Sequence, residues 1–279
     1  MSHPVLKPDM VAVVTGAAAG IGLASAKAFA RHGMTVILVD AASDRLDAAQ
    51  DAVSKAGAAE VRSHVADVSD RAALVALEAE IRQDFGGTDL LMNNAGIQPG
   101  SEMFGPLERW DQILGVNLWG VIHGTQVFAP GMIARGRPGA IINTGSKQGI
   151  TTPPGDPAYN VTKSGVKAFT EALVHELRNT EGCQISAHLM IPGFVFTDLN
   201  ARGRTEKPAD AWTPDQAADF MIDSLNAGDF YILCPDNDVS RAIDEKRIAW
   251  AAGDIIENRP ALSRWHPDYA KAFADYMAE

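Results

Sequence analysis

The sequence predicts an α/β fold with a parallel sheet, and two observations predict it. Short β-rich runs alternate with longer helical patterns in the order βαβαβαβ from Val11 to Met92. The first run also meets a cluster of glycines and passes straight into an Ala-rich helical pattern. That layout aims backbone N–H groups and a helix N-terminus at a phosphate.

The first run is Val11–Thr15, followed by Gly16, Ala17, Ala18, Ala19, Gly20, Ile21 and Gly22. The helical pattern from Leu23 to His32 closes at Gly33. The turn is spaced G-x-x-x-G-x-G rather than G-x-G-x-x-G, so by itself it reads equally as turn chemistry or as a phosphate cradle. A buried strand, Met34–Asp40, ends in an acid. Asp40 falls about twenty residues beyond the glycine turn, where a dinucleotide fold places the carboxylate for the adenosine ribose hydroxyls. A carboxylate there repels a 2′-phosphate, and no Arg or Lys stands among Ala17, Ala18, Ala19, Ala41 and Ala42 to attract one. NAD is therefore preferred to NADP. The alternatives for Asp40 are a solvated strand end or the N-cap of the next helix.

Residues 41–56 read as a helix stopped by Gly57, and Glu60–Val65 as a strand with Asp67 and Val68 just beyond its C-terminal end. Residues 69–85 form an amphipathic helix with Ser69 as the expected N-cap. Leu90, Leu91 and Met92 run into Asn93, Asn94, Ala95 and Gly96, either a turn or a place where backbone meets a ligand. From Pro106 to Arg135 the pattern is helical, with a kink or break expected at Pro130. Asn117 lies inside its apolar stripe and needs a partner, a neighbouring backbone group being the simplest. Ala140–Thr144 is a fifth strand, running into Gly145, Ser146, Lys147, Gln148 and Gly149.

Asp156 and Pro157 are a good N-cap and first residue for a helix over 157–180. Tyr159 and Lys163, four residues apart in its first turns, share one face. An ammonium beside a phenol favours the phenolate, which brings a group with a reference pKa of about 10 toward acid–base work. Residues 184–191 form a sixth strand, ending in Pro192, Gly193, Phe194, Val195, Phe196 and Thr197. Residues 198–211 are polar and read as a loop or lid. Thr213 and Pro214 open a helix to about Asn226, Phe230–Cys234 is a short strand, and 237–252 another helix.

The 279 residues, 46% hydrophobic and 21% charged, suit a globular chain. With no interdomain linker in view, one domain is expected over 1–279, with 198–212 as a substrate lid and 253–279 as a C-terminal extension. A net charge of −11 argues against a general nucleic-acid or anionic-membrane binder. Cys183 and Cys234 lie in apolar runs and read as buried thiols. The seven histidines show no ligand spacing, so no metal is expected. Residues 1–9 have no apolar core, and no run is long enough to span a bilayer, so the reading is a cytoplasmic protein.

Taken together, the chain resembles the short-chain dehydrogenase/reductase family over roughly Met10 to Thr197. Thr15, Gly16, Gly20, Ile21 and Gly22 match the family's cofactor turn, Asp67 and Val68 its adenine-side pair, and Asn93–Gly96 its N-N-A-G stretch. Asn117, Ser146, Tyr159 and Lys163 fall in the order of its catalytic tetrad, and Pro192, Gly193 and Thr197 match P-G-x-x-x-T.

The resemblance implies a Rossmann-type, doubly wound, mostly parallel sheet of about seven strands with helices on both faces. It implies NAD held by Gly16, Ala19, Ile21, Asp40, Asp67, Val68, Asn94, Ala95, Gly96, Tyr159, Lys163, Pro192, Gly193, Val195 and Thr197. It also implies roles: Tyr159 transfers the proton, Ser146 holds the substrate oxygen, Lys163 favours the phenolate and binds the nicotinamide ribose, and Asn117 holds a water. The reaction implied is hydride exchange between NAD(H) and a secondary alcohol or ketone.

Substrate contacts are expected at Gln98, Gln148, Phe194, Phe196 and Leu199, near Ile97, which favours an apolar alcohol of medium to large size. Gln148 either touches substrate or caps a turn. Arg202, Arg204 and Lys207 belong to a solvated lid or meet an anionic group. An NADPH-dependent ketoreductase and a non-catalytic dinucleotide sensor or scaffold are the alternative functions. A homodimer or homotetramer is expected. Phe230–Cys234 is followed by Pro235, Asp236 and Asn237, where many family members have an aspartate-glycine-glycine turn.

Overall fold

The computed structural model describes residues 2–201 and 203–278. Seven strands form one parallel sheet: β1 Val11–Thr15, β2 Thr35–Asp40, β3 Glu60–Val65, β4 Leu90–Asn93, β5 Gly139–Thr144, β6 Ile185–Ile191 and β7 Tyr231–Leu233. Their order is β3-β2-β1-β4-β5-β6-β7. The chain winds outward one way from β1 and then the other way from β4. The crevice between β1 and β4, at the C-terminal ends of the strands, is where such sheets bind ligands.

The larger helices are α1 Gly20–Ala30, α2 Ser43–Lys55, α3 Arg71–Phe85, α4 Leu107–Leu114, α5 Gly120–Ala134, α7 Pro157–Asn179, α9 Pro214–Ala227 and α10 Arg241–Ile256. Two four-residue helices, α6 Gln148–Thr151 and α8 Asp198–Ala201, border the crevice, and α11 Ala270–Ala278 ends the chain. The sheet's period of two sorts the core into layers. Ala12, Val14, Val36 and Leu38 pack under α1, α2 and α9 with Phe29, Leu46, Val53 and Met221. Val11, Val13, Ile37 and Val39 pack on the other face with Leu77, Ile81, Phe128, Met132 and Leu177, from α3, α5 and α7. Strands covered on both faces are mostly apolar, and β1, β4 and β5 are buried end to end, with their polar last residues Thr15, Asn93, Asn143 and Thr144 hydrogen-bonded.

Four local expectations need correction. Asp70, not Ser69, caps α3, accepting from the Ala72 and Ala73 N–H groups at 2.9 and 3.4 Å; the Ser69 hydroxyl is turned to Asp67 instead. Asp156 precedes α7 but makes no side-chain cap bond. Ser101 does that work, accepting from the Ala158 N–H at 2.9 Å while donating to Asp156. The helical run after Pro106 is not broken at Pro130, which lies inside α5. Its irregularity is a π-helical segment, Gly115–Trp119, centred on Asn117. The helix expected over 237–252 starts at Arg241, because Ser240 caps it through the Ile243 N–H.

Candidate active site

The glycine turn is shaped by close approach. Gly16 and Gly20 have φ of 65° and 55°, in the left-handed region. A Cβ on Gly22 would lie 2.1 Å from the Gly16 carbonyl oxygen, so only hydrogen fits there. The Asn94 amide nitrogen donates to the Thr15 and Gly16 carbonyl oxygens at 3.0 and 3.3 Å. The Thr15 hydroxyl accepts from the Asn94 and Ala95 N–H groups at 2.9 and 3.1 Å. β1 and β4 are thereby locked together at the mouth of the crevice. The two adjacent amides part company, as alternation along a strand requires. Asn93 turns into the core, donating to Asn143 and to Thr125 at 2.9 and 3.1 Å, whereas Asn94 turns to the cleft.

Asp40, at the end of β2, accepts from the Ala18 and Ala42 N–H groups, each at 2.9 Å. It therefore ties the glycine turn to the start of α2, and it also lines the cleft. A carboxylate has acceptor capacity for more than two bonds, so room remains for ligand hydroxyls.

One cleft of about 950 Å³ runs over these parts. Asp40, Asp67 and Val68 form its wall at one end, by β2 and β3, and Gly16, Ala19 and Ile21 come next, by β1. Asn94, Ala95 and Gly96 lie in the middle. Ser146, Gln148, Tyr159, Lys163, Gln98 and Leu199 lie at the other end, faced by Pro192, Gly193, Phe194, Val195 and Thr197. Two expected residues are elsewhere. Phe196 is not on the wall; its N–H pairs with the Trp212 carbonyl oxygen at 2.9 Å, where the ends of the 198–211 segment meet. Asn117 is fully buried behind the wall, its side chain bound to both the Ile97 N–H and the Ile97 carbonyl oxygen at 2.8 Å. Its amide satisfies a neighbouring backbone, and the π segment supplies the bulge that turns it there. Gln148 lines the cleft, and its N–H donates to the Ser146 hydroxyl at 3.1 Å.

Helix α7 carries Tyr159 and Lys163 on one face. Lys163 is 4% exposed and donates to the Thr144 carbonyl oxygen at 2.8 Å. Its ammonium lies 5.6 Å from the centre of the Tyr159 ring. Gly149 lets α6 press on this helix: a Cβ there would be 2.5 Å from the Lys163 main chain. Burial pushes the Tyr159 phenol up to about 12; the Ser146 hydroxyl partly offsets this and the Asp156 charge adds to it. Burial also pushes Lys163 down to about 8. The easing of the phenol's ionisation expected from Lys163 is thus not supplied by the chain alone; desolvation outweighs it.

Lys207 folds back on its own loop, donating to the Pro208 and Ala211 carbonyl oxygens at 3.0 and 2.7 Å. Arg204 reaches the cleft wall, 6.0 Å from the Phe194 ring centre. Arg202 lies outside the described residues. Sequence reasoning missed Gln112 and Val116 on the wall, which are four residues apart and so share one helix face with each other but not with Asn117.

A family model described as short chain dehydrogenase matches residues 10–208. The chain belongs to the short-chain dehydrogenase/reductase family. Its match to the D-beta-hydroxybutyrate dehydrogenase of Cupriavidus necator is 39% identical over 191 residues, 67% of this chain and 71% of that protein. A short-chain dehydrogenase/reductase from Burkholderia phymatum, solved with NAD, superposes with a TM-score of 0.82 at 30% identity, covering 92% of this chain and 97% of that one. A metagenomic short-chain oxidoreductase solved with NADP has a TM-score of 0.68 at 29% identity, covering 82% and 98%. Structures of the family thus hold either dinucleotide. The protein is an oxidoreductase of this family with a Rossmann-type sheet, and among the described residues no helix is long and apolar enough to cross a membrane.

Proposed function

We propose that the protein exchanges a hydride between NAD(H) and an apolar secondary alcohol or its ketone, of medium to large size. The meeting of Ser146, Tyr159 and Lys163 at one end of the cleft, with Asp40 toward the other and the glycine turn between them, carries this reading. The cradle fits a dinucleotide: a Cβ on Gly16 or Gly22 would collide with main chain at 2.7 or 2.1 Å, and Asp40 stands at the adenosine end. When bound, the dinucleotide supplies the hydride donor or acceptor at its nicotinamide ring.

The chain supplies placement and proton traffic. The N–H groups at the start of α1 receive the pyrophosphate. Asp40 takes the adenosine ribose hydroxyls, and Asp67 and Val68 border the adenine. Pro192, Gly193, Val195 and Thr197 wall the nicotinamide end. Lys163, held by Thr144, offers protons to the neighbouring ribose. Ser146 donates to the substrate oxygen, and Tyr159 takes the hydroxyl proton in oxidation and returns it in reduction. Asn117 acts through Ile97, whose main chain it fixes beside the substrate space.

NAD is favoured over NADP by the carboxylate of Asp40. Arg45 is held by Asp198 at 2.7 Å and does not line the cleft. A second substrate reading rests on Arg204, which makes no ion pair among the described residues and lies at the wall. It favours an alcohol with an anionic tail, a class to which hydroxybutyrate, in the name of the Cupriavidus relative, belongs. A homodimer or homotetramer is the proposed assembly, supported by exposed Trp119 and Val161, at 52% and 49%.

A thermal-shift comparison of NAD and NADP, then a panel pairing neutral secondary alcohols with hydroxy acids of equal size, tests these readings. NAD-dependent turnover supports the first. A preference for the acids, lost in Arg204→Ala, supports the second. Tight dinucleotide binding without turnover of any alcohol or ketone would make the chain a dinucleotide sensor.

A further inference from the structure

Lys147 directly follows Ser146, yet its side chain does not point to the substrate space alone. Its ammonium lies 2.6 Å from Asp244 Oδ2 and 3.4 Å from Asp236 Oδ2. Both carboxylates are only 6% exposed. Asp244 belongs to α10, and Asp236 to the turn between β7 and α10. Asp236 Oδ2 also accepts from the Phe194 N–H at 3.1 Å, and Oδ1 from the Val239 N–H at 2.8 Å. The pair sits directly over Gly193: a Cβ there would lie 2.6 Å from Asp236 Oδ2 and 2.8 Å from the Lys147 ammonium. On the far side, Arg247 and Arg264 close a cavity of about 50 Å³ against Asp244. The acids come from a part of the chain beyond the 10–208 family match.

We infer that Lys147 is a positioning residue: it clamps the Ser146 loop to the Gly193–Phe194 wall, and the segment after β7 supplies the carboxylates that hold the clamp. Three pieces of main chain meet at this one ammonium. The first carries the hydroxyl for the substrate oxygen. The second forms the opposite wall. The third, the start of α10, lies off the cleft wall and reaches it through Lys147 and through the packing of Ile248 near Ile150 of α6. Two acids against one ammonium hold it firmly; without it Asp236 would lose its cation, and Asp244 would keep only the more distant charges of Arg247 and Arg264. A shift of about 1 Å between reacting groups costs on the order of 10²-fold in rate, so the clamp matters to chemistry as well as to folding.

Only the kinetic arm of the test rests on the function proposed above; the exchange arm does not. Wild type, Lys147→Met, Lys147→Arg, Asp244→Asn and the double variant Lys147→Met/Asp244→Leu are compared by amide hydrogen exchange. The double variant removes one uncompensated charge and serves if Lys147→Met fails to fold. Asp244→Asn, a change on α10, is expected to speed exchange over 146–151 and 192–197, remote in sequence; Lys147→Met or the double variant does the same, and Lys147→Arg stays near wild type. Where turnover is measurable, kcat falls about tenfold or more without Lys147 while dinucleotide affinity holds within about threefold, and arginine restores most of it. Unchanged exchange in both segments in Asp244→Asn and in the folded variant lacking Lys147 would overturn the clamp, whether or not a substrate is known. So would kcat within twofold of wild type in that variant.

Discussion

The Lys163 ammonium stands 5.6 Å from the centre of the Tyr159 ring. Helix α7 sets that spacing through its i,i+4 register, and the Thr144 carbonyl oxygen fixes the ammonium at 2.8 Å. Burial drives the two groups in opposite directions, the phenol to about 12 and the amine to about 8. Both neutral forms are favoured by the same desolvation.

Replacing the phenol separates chemistry from binding. Tyr159→Phe keeps the ring and its packing but removes the transferable proton. Turnover is expected to fall on the order of 10²–10⁴-fold, with dinucleotide affinity nearly unchanged by fluorescence titration.

Lys163 gives a stability signature. Its folded pKa of about 8 lies below the unfolded value of about 10.4, so the unfolded chain binds more protons between them. Stability from this group is full above about pH 10.4 and is lost as pH falls through about 8. Wild type should therefore gain unfolding free energy relative to Lys163→Met as pH rises from about 8 to about 10. Urea denaturation at both values reads the sign.

The raised phenol value bears on activity. On the proposed mechanism Tyr159 is the base in alcohol oxidation, so kcat/KM should climb from neutral pH into the alkaline range. In ketone reduction it is the acid and stays protonated until its own ionisation, near 12 in the chain alone. Reduction should show no such climb. Parallel profiles in the two directions would contradict the role.

On the proposed reading Asp40 sets the choice of dinucleotide. Asp40→Ser removes the charge that repels a 2′-phosphate, and the NADP-to-NAD affinity ratio should rise about tenfold or more. The bonds to Ala18 and Ala42 weaken at the same time, so NAD binding should also loosen. Titration with both dinucleotides checks the ratio.

Asn117 is tested through Ile97. Asn117→Ala leaves the Ile97 N–H and carbonyl without their 2.8 Å partners, at a cost of about 1–3 kcal/mol. Denaturant melts should show that loss, with a fall in kcat as the wall beside Gln98 loosens.

Much of this was legible in the chain because the signals are local. The strands are apolar runs, the glycine turn is spaced by its own collisions, and Tyr159 and Lys163 are related by helix geometry. What was not legible depended on distant partners. Nothing near Asp156 reveals that Ser101 takes over its cap, because the two meet only in the fold. Pro130 looked like a break, but the irregularity lies at Asn117, where a side chain satisfies the main chain of a different segment. Phe194 and Phe196 are two residues apart in one run and the main chains of both pair with Trp212, yet Phe194 lines the wall and Phe196 does not. The partners of Lys147 lie about ninety residues on, at Asp236 and Asp244, where nothing local points.

A secondary alcohol deuterated at its carbinol carbon gives the most direct test of the central claim. Turned over with NAD, it should deliver the label to C4 of the reduced nicotinamide, read by NMR, and Tyr159→Phe should deliver almost none. Reduced dinucleotide without the label, or full transfer by Tyr159→Phe, would contradict the account.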